Sequence, residues 1–261
     1  IVSNHLAKLA KAIFLLLDLS PKNGSMSFKK YGPLVFLTIL LFHCLAIAMG
    51  WSDLRFYSKL MLVPLLMLLL GLFKGFTFEK QSWLPWLGLL GAFAGDWLLA
   101  LSGEQYFLFG MLGFMTTHVC NSLFFLQLQP LQPGKLLPAF LAFVILIITC
   151  SLIVFQIKDQ LGPMLLPIVA YMGLISLMTI LAANLAASET LKSIALKYFI
   201  PSAGCFVLSD GLLALNKFLW HRHDLDIPVM ITYGLAVLLL TLGVINTECW
   251  TKKIPSKSSR G

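Results

Sequence analysis

The chain has 261 residues, of which 59% are hydrophobic and 11% charged, and a formal net charge of +8. Ordinary soluble domains carry roughly 25% charged residues. A mean hydropathy of +0.89 leaves more apolar surface than a core of this size can hide, so a water-soluble globule is excluded. A nucleic-acid-binding domain is excluded too, because the basic residues are scattered at the ends of apolar runs and form no single stripe.

In chain order, the first feature is "HLAKLAKAIFLLLDL", which sets Leu6, Leu9, Ala10, Ile13, Phe14 and Leu17 at helical spacing beside Lys8 and Lys11. This predicts an interfacial amphipathic helix, too short to span a membrane. It lies within an N-terminal extension at 1–30 to which no function is assigned. Apolar stretches of spanning length, about 20 residues each, follow at 33–50, 56–73, 83–101, 105–128, 136–156, 162–187, 197–219 and 228–248. The expected fold is all-α: a polytopic membrane protein whose bundle of eight transmembrane helices fills residues 31–250. A disordered basic tail at 251–261 closes the chain. Pro64, Pro85, Pro138, Pro167 and Pro201 fall in or near these stretches, where membrane bundles tolerate them better than soluble helices do.

The cations predict the orientation. Arg55, Lys59, Lys158, Lys217 and Arg222 fall on one side, and the other fourteen of the nineteen Lys and Arg residues fall on the opposite side. The positive-inside rule then puts both termini in the cytoplasm. An odd number of spans would scramble this asymmetry.

Two of the few carboxylates occupy matched settings, Asp96 in "GDWLLAL" and Asp210 in "SDGLLAL". A carboxylate in hydrocarbon costs several kcal/mol unless paired, protonated or hydrated, so such residues mark function by default. At the helical rise, Asp96 lies about 8 Å and Asp210 about 13 Å from the outer ends of their segments. His118 falls near the middle of the fourth segment, Tyr171 and Tyr233 in the outer halves of the sixth and eighth, and Lys59 at the outer start of the second. Six polar side chains from six helices thus gather in one slab, which predicts a cavity opening from the non-cytoplasmic side. Gly88, Gly91, Ala92 and Gly95 make a smooth strip for close helix packing, and Asp96 lies beside it. Phe114, His118 and Asn121 share a face of the fourth helix. Lys217 follows Asp210 by seven residues at the membrane edge, as a snorkelling anchor or a phosphate contact.

Cys44, Cys120, Cys150, Cys205 and Cys249 show no metal-ligand spacing and read as small hydrophobes, with neither a disulfide framework nor a metal site expected. No Gly-rich phosphate loop, HExxH or Ser/His/Asp constellation is present, so nucleotide chemistry and zinc hydrolysis have no support in the sequence.

The segments "GDWLLAL…GEQYFLFGMLGFMTTHVCNSLFF" and "AGCFVLSDGLLALNKF" resemble the YhhN family of multi-pass membrane proteins. The shared pattern comprises Gly95 and Asp96, then Phe107, Gly110, Phe114 and His118, then Ser209, Asp210, Asn216, Lys217 and Phe218. Lys59 with Pro64 and Thr232 with Tyr233 extend it, and the likeness runs from about residue 33 to 248. Leu181 or its neighbours and Val237 stand where the family often has an Arg and a Gln. Because the family includes lysoplasmalogenases, the resemblance implies hydrolysis of the vinyl-ether bond of a lysophospholipid, releasing a fatty aldehyde and a glycerophospho-ethanolamine or -choline. It also implies a bacterial inner membrane or, alternatively, the endoplasmic reticulum.

The residues suit that chemistry. A vinyl ether hydrolyses by protonation at carbon, and water captures the resulting oxocarbenium ion. The reaction needs an acid that holds its proton and an anion that stabilises the cation, and two carboxyls sharing a proton supply both. Asp96 and Asp210 are therefore the expected catalytic pair. His118, Tyr233, Tyr171, Asn121 and Ser209 are expected to orient them, and Lys59, Lys217 and Asn216 to bind the head group. No metal or cofactor is required, and the expected partners are the lysophospholipid and membrane lipids. Two other readings use the same aspartates. An intramembrane aspartyl protease usually has G-x-G-D, and Ala94-Gly95-Asp96 lacks the first glycine. A transporter is compatible with the repeated phrase four spans apart.

Overall fold

The structure is a computed structural model that describes residues 27–74, 83–101 and 103–251. The expected amphipathic helix and basic tail lie outside the described residues. The long helices are α1 (Ser27–Ala48), α2 (Ser52–Lys74), α3 (Trp83–Ala100), α4 (Glu104–Leu128), α5 (Leu137–Leu161), α6 (Leu165–Asn184), α7 (Ile200–Leu215) and α8 (Asp226–Thr251). No strand occurs among the described residues.

Seven described stretches are long and apolar enough to cross a bilayer. The longest, Leu137–Ala187, contains both α5 and α6. Gly162 divides it by taking φ +47°, a left-handed conformation that glycine adopts without steric cost. The two helices then fold back and pack together.

Sequential helices form hairpins, α1 with α2, α3 with α4, α5 with α6 and α7 with α8. Their turns gather at one end of the bundle, where Arg55 of α2 pairs with Asp226 of α8 at 2.9 Å. The core runs along α8, which packs on α1, α2 and α7 and buries Tyr233, Ala236, Val237, Leu240 and Val244. By contrast α5 is peripheral, with Ala139, Leu146, Ile157 and Leu161 as its buried residues.

The closest packing is between α3 and α4. A Cβ on Gly91 would stand 2.7 Å from the Gly113 carbonyl oxygen, and one on Gly113 2.7 Å from the Gly95 nitrogen. Thr117 seals this contact by donating to the Gly88 carbonyl at 2.9 Å. The predicted glycine strip is therefore a backbone-to-backbone interface, the kind that lets membrane helices gain dispersion energy without a hydrophobic driving force.

The stretch Lys192–Trp220 departs from a regular helix. Ala195–Phe199 and Asn216–Trp220 are π turns on either side of α7. Pro201 accounts for the first, because its ring crowds the preceding turn and removes a donor, and a wider turn relieves both. The second has a cause in Asn216, described below.

Candidate active site

Asp96 lies near the turn-bearing end of α3 and is 1% exposed. The Tyr233 hydroxyl of α8 donates to its Oδ2 at 2.6 Å, and the Lys59 ammonium of α2 stands 3.5 Å from its Oδ1. Both carboxylate oxygens thus face a donor, and one donor is a cation. Lys59 was expected on a phosphate; instead it faces Asp96, because its position in α2 turns it into the bundle.

Asp210 has a different environment. The Tyr171 hydroxyl of α6 donates to its Oδ2 at 2.6 Å, and His118 Nε2 lies 3.0 Å from that hydroxyl and 3.7 Å from Oδ2. A tyrosine has one proton to give, so with Tyr171 donating to Asp210, His118 carries its proton on Nε2 and donates to the Tyr171 oxygen. His118 Nδ1 rests 3.3 Å from the Met178 sulfur. All described contacts of Asp210 use Oδ2, which leaves Oδ1 for another partner.

The aspartates were expected to share a proton directly. Among the described residues no hydrogen bond joins them, and each takes its own tyrosine. The two halves are joined by aromatic packing: Phe206 lies edge-on to His118 at 5.5 Å and to Tyr233 at 6.2 Å, and Phe114 lies edge-on to Tyr233 at 5.6 Å. Rotation about each helix sorts the six side chains into two groups of three, Asp96 with Tyr233 and Lys59, and Asp210 with Tyr171 and His118.

A cavity of about 60 Å³ opens on Asp210 and Tyr171, with Cys150 and otherwise apolar side chains of α3 to α7 around it. Asp96 is not in its wall. The side-chain exposures agree, at 18% for Asp210 against 2% for Asp96. Phe107 and Phe218 line the cavity, and the exposed Lys217 lays its ammonium 4.4 Å from the Phe107 ring centre and 6.0 Å from that of Phe218. Lys217 therefore rests on the cavity rim as a cation held by aromatic faces.

The sequence profile of the YhhN family matches residues 54–244. The chain belongs to the YhhN family. With its seven apolar stretches of spanning length it is a multi-pass membrane protein. It is similar to proteins named lysoplasmalogenase from Mycobacterium bovis and Mycobacterium tuberculosis, each 28% identical over 170 residues, 63% of this chain and 61% of the relative. The chain thus spans about three fifths of the length of the curated relatives it matches. No solved structure matches it significantly.

The YhhN-matched span contains all ten residues singled out from the sequence, but they do not all reach the cavity. Asn216 turns away from it. Its Nδ2 donates to the Arg222 carbonyl at 2.8 Å and its Oδ1 accepts from the Arg222 backbone N–H at 2.7 Å, tying down the α7–α8 turn. This closure accounts for the second π turn, since the His221 N–H reaches back five residues to the Asn216 carbonyl. Asn216 is therefore a loop tie and not a head-group contact. Asn216→Ala is expected to lower stability by about 1–3 kcal/mol through two lost, partly buried hydrogen bonds. Thermal unfolding in detergent measures this, and lipid affinity should follow only the loss of folded protein.

Ser209 donates to the Val229 carbonyl at 3.1 Å and Ser202 to that of Ala236 at 2.7 Å, so both pin α7 to α8. Ser209 thereby sets the rotation of Asp210 without touching it. Asn121, 1% exposed, turns its amide nitrogen toward the Met178 sulfur at 3.9 Å. It borders His118 and does not touch either aspartate. Leu181 and Val237 are buried, at 2% and 0% exposure.

The sequence reading passed over His43 and Ser58. His43 Nδ1 lies 2.8 Å from the Ser58 oxygen, with His43 at 0% exposure and Ser58 next to Lys59 in α2. A histidine inside an apolar span was the available signal.

Proposed function

We propose that the chain is a lysoplasmalogenase: it hydrolyses the vinyl ether of a 1-alkenyl lysophospholipid to a fatty aldehyde and a glycerophospho-base, with Asp210 as the acid. The observation that carries this reading is the asymmetry of the aspartates. Asp210 faces the cavity with Oδ1 uncommitted, whereas Asp96 is buried against Lys59 and Tyr233.

In this mechanism Asp210 Oδ1 gives its proton to the β-carbon of the vinyl ether as the carbon–carbon π bond breaks. The positive charge that develops at the α-carbon and ether oxygen is stabilised by the Asp210 carboxylate so formed and, at longer range, by Asp96. A donor set fixed before the reaction acts more strongly in a dry site than water does. Water then adds to the α-carbon and returns a proton to Asp210. The hemiacetal collapses to the aldehyde and the glycerol hydroxyl, with one water consumed and the acid restored. Tyr171, steadied by His118, holds Oδ2 and thereby aims Oδ1, while Lys217 at the rim is placed to receive the phosphate.

The accompanying topology is eight crossings over residues 31–250, with α5 and α6 each counted as one. Both termini would be cytoplasmic, so the cavity would open on the opposite face. A bacterial inner membrane fits this reading. An aspartyl protease, which needs two carboxyls on one water, is poorly served by aspartates that each hold a separate tyrosine.

Purified protein in vesicles should release aldehyde from a 1-alkenyl lysophospholipid and leave the 1-acyl analogue intact. Failure of the folded wild-type protein to release aldehyde overturns the proposal.

A further inference from the structure

Between α5 and α6 lies a second hollow, an open groove of about 670 Å³. Its rim residues face outward, with Phe155 70% exposed, Ile147 52% and Leu177 47%, so it lies open toward the bilayer. Cys150 and Met172 line both the groove and the cavity beside Asp210, and so form the wall between them.

Cys150 is held by a single 3.4 Å contact from its sulfur to the Ser176 hydroxyl across the helix pair. Met172 is an unbranched thioether that adapts to whatever fills the space beside it. At the next residue, a Cβ on Gly173 would meet nothing within 4 Å, so the α6 backbone borders empty space here. The helix on the other side, α5, is the one with four buried residues in its whole length.

We infer that this groove is the subsite for the long hydrocarbon chain of the substrate, which enters sideways from the bilayer past Cys150 and Met172. The inference rests on the lysoplasmalogenase reading for the identity of the lipid. The catalytic cavity, at about 60 Å³, has room for the reacting bond but not for a fatty chain. The groove wall on α5 runs from Phe143 to Lys158, about 22 Å at the helical rise, the dimension of a long unbranched chain. Lys158 stands at its outer end, with its ammonium 5.0 Å from the Phe155 ring centre. A lipid arriving from the outer leaflet meets this cation first and then hands its phosphate to Lys217.

Two measurements test the subsite. In vesicles, a non-hydrolysable long-chain 1-alkyl lysophospholipid should slow alkylation of Cys150 by a bilayer-soluble maleimide, read at that cysteine by peptide mass spectrometry. The short-chain analogue should protect little, and Gly173→Leu should remove the protection. With the hydrolysable series, Gly173→Leu should lower the ratio of kcat/KM for long-chain over short-chain substrate by about tenfold or more. Equal protection by the vesicle lipids alone would mean a groove that holds only annular lipid, and would overturn the inference, as would an unchanged ratio. Protection of Cys150 with no aldehyde from wild-type protein would keep the groove as a lipid site and reject the enzymatic reading instead.

Discussion

Replacing Asp210 with Asn should lower the kcat for vinyl-ether hydrolysis by about 10²–10⁴, the range lost when a positioned general acid is removed. The amide keeps the shape of the carboxyl and still accepts the Tyr171 hydrogen bond at the position of Oδ2, so the protein should fold and bind lipid as before. An unchanged KM with a collapsed kcat marks a group that acts in the transition state. Tyr171→Phe offers the comparison. It leaves the acid but frees its orientation, so a smaller loss in kcat is expected, and His118→Gln should produce a similar loss because it acts through Tyr171. If Asp210→Asn retains wild-type turnover while Asp96→Asn abolishes it, the roles assigned from the cavity wall are reversed. If both retain it, the aspartate mechanism fails. The measurement is aldehyde release from purified variants of verified monodispersity.

A large effect on stability is expected at Gly113. A Cβ there would lie 2.7 Å from the Gly95 nitrogen and 2.8 Å from the Gly91 carbonyl oxygen, backbone atoms that cannot move aside without shifting a helix. Gly113→Ala should therefore cost about 1–3 kcal/mol, as overpacking of a tight interface does. Gly204, whose added Cβ would meet nothing within 4 Å, is the control. Alanine there should leave stability unchanged or raise it, since alanine is the better helix former. Thermal unfolding in one detergent separates the two. The effect at Gly113 should extend to activity, because Asp96 follows Gly95 directly. Any separation of α3 from α4 moves that carboxylate away from Tyr233. Equal shifts at Gly113 and Gly204 would show that the α3–α4 contact is not a stability determinant.

What the sequence determined by itself was what depends on position along the chain. Twenty-residue apolar stretches set the helices, and a glycine strip in the third predicted the tight contact that α3 makes with α4. The depths of Asp96, Asp210, His118, Tyr171, Tyr233 and Lys59 predicted that they gather, and the structure joins them in two groups of three. The physical reason is that helical rise is fixed, so counting residues measures depth.

Rotation and lateral neighbours were decided only by the tertiary structure. In a soluble helix an apolar stripe shows which face turns inward. Here lipid is as apolar as the core, so an apolar stripe does not mark the inward face. The sequence could not say that Lys59 turns to Asp96, that Asn216 is consumed by its own loop, or that two aspartates in matched phrases have different surroundings. Asp210 meets a cavity because α5, α6 and α7 leave a gap beside it, and Asp96 meets Lys59 and Tyr233 because α2 and α8 close over it. Packing between segments far apart in the chain made that difference, and it gives the two aspartates of a repeated phrase one setting beside a cavity and one closed setting.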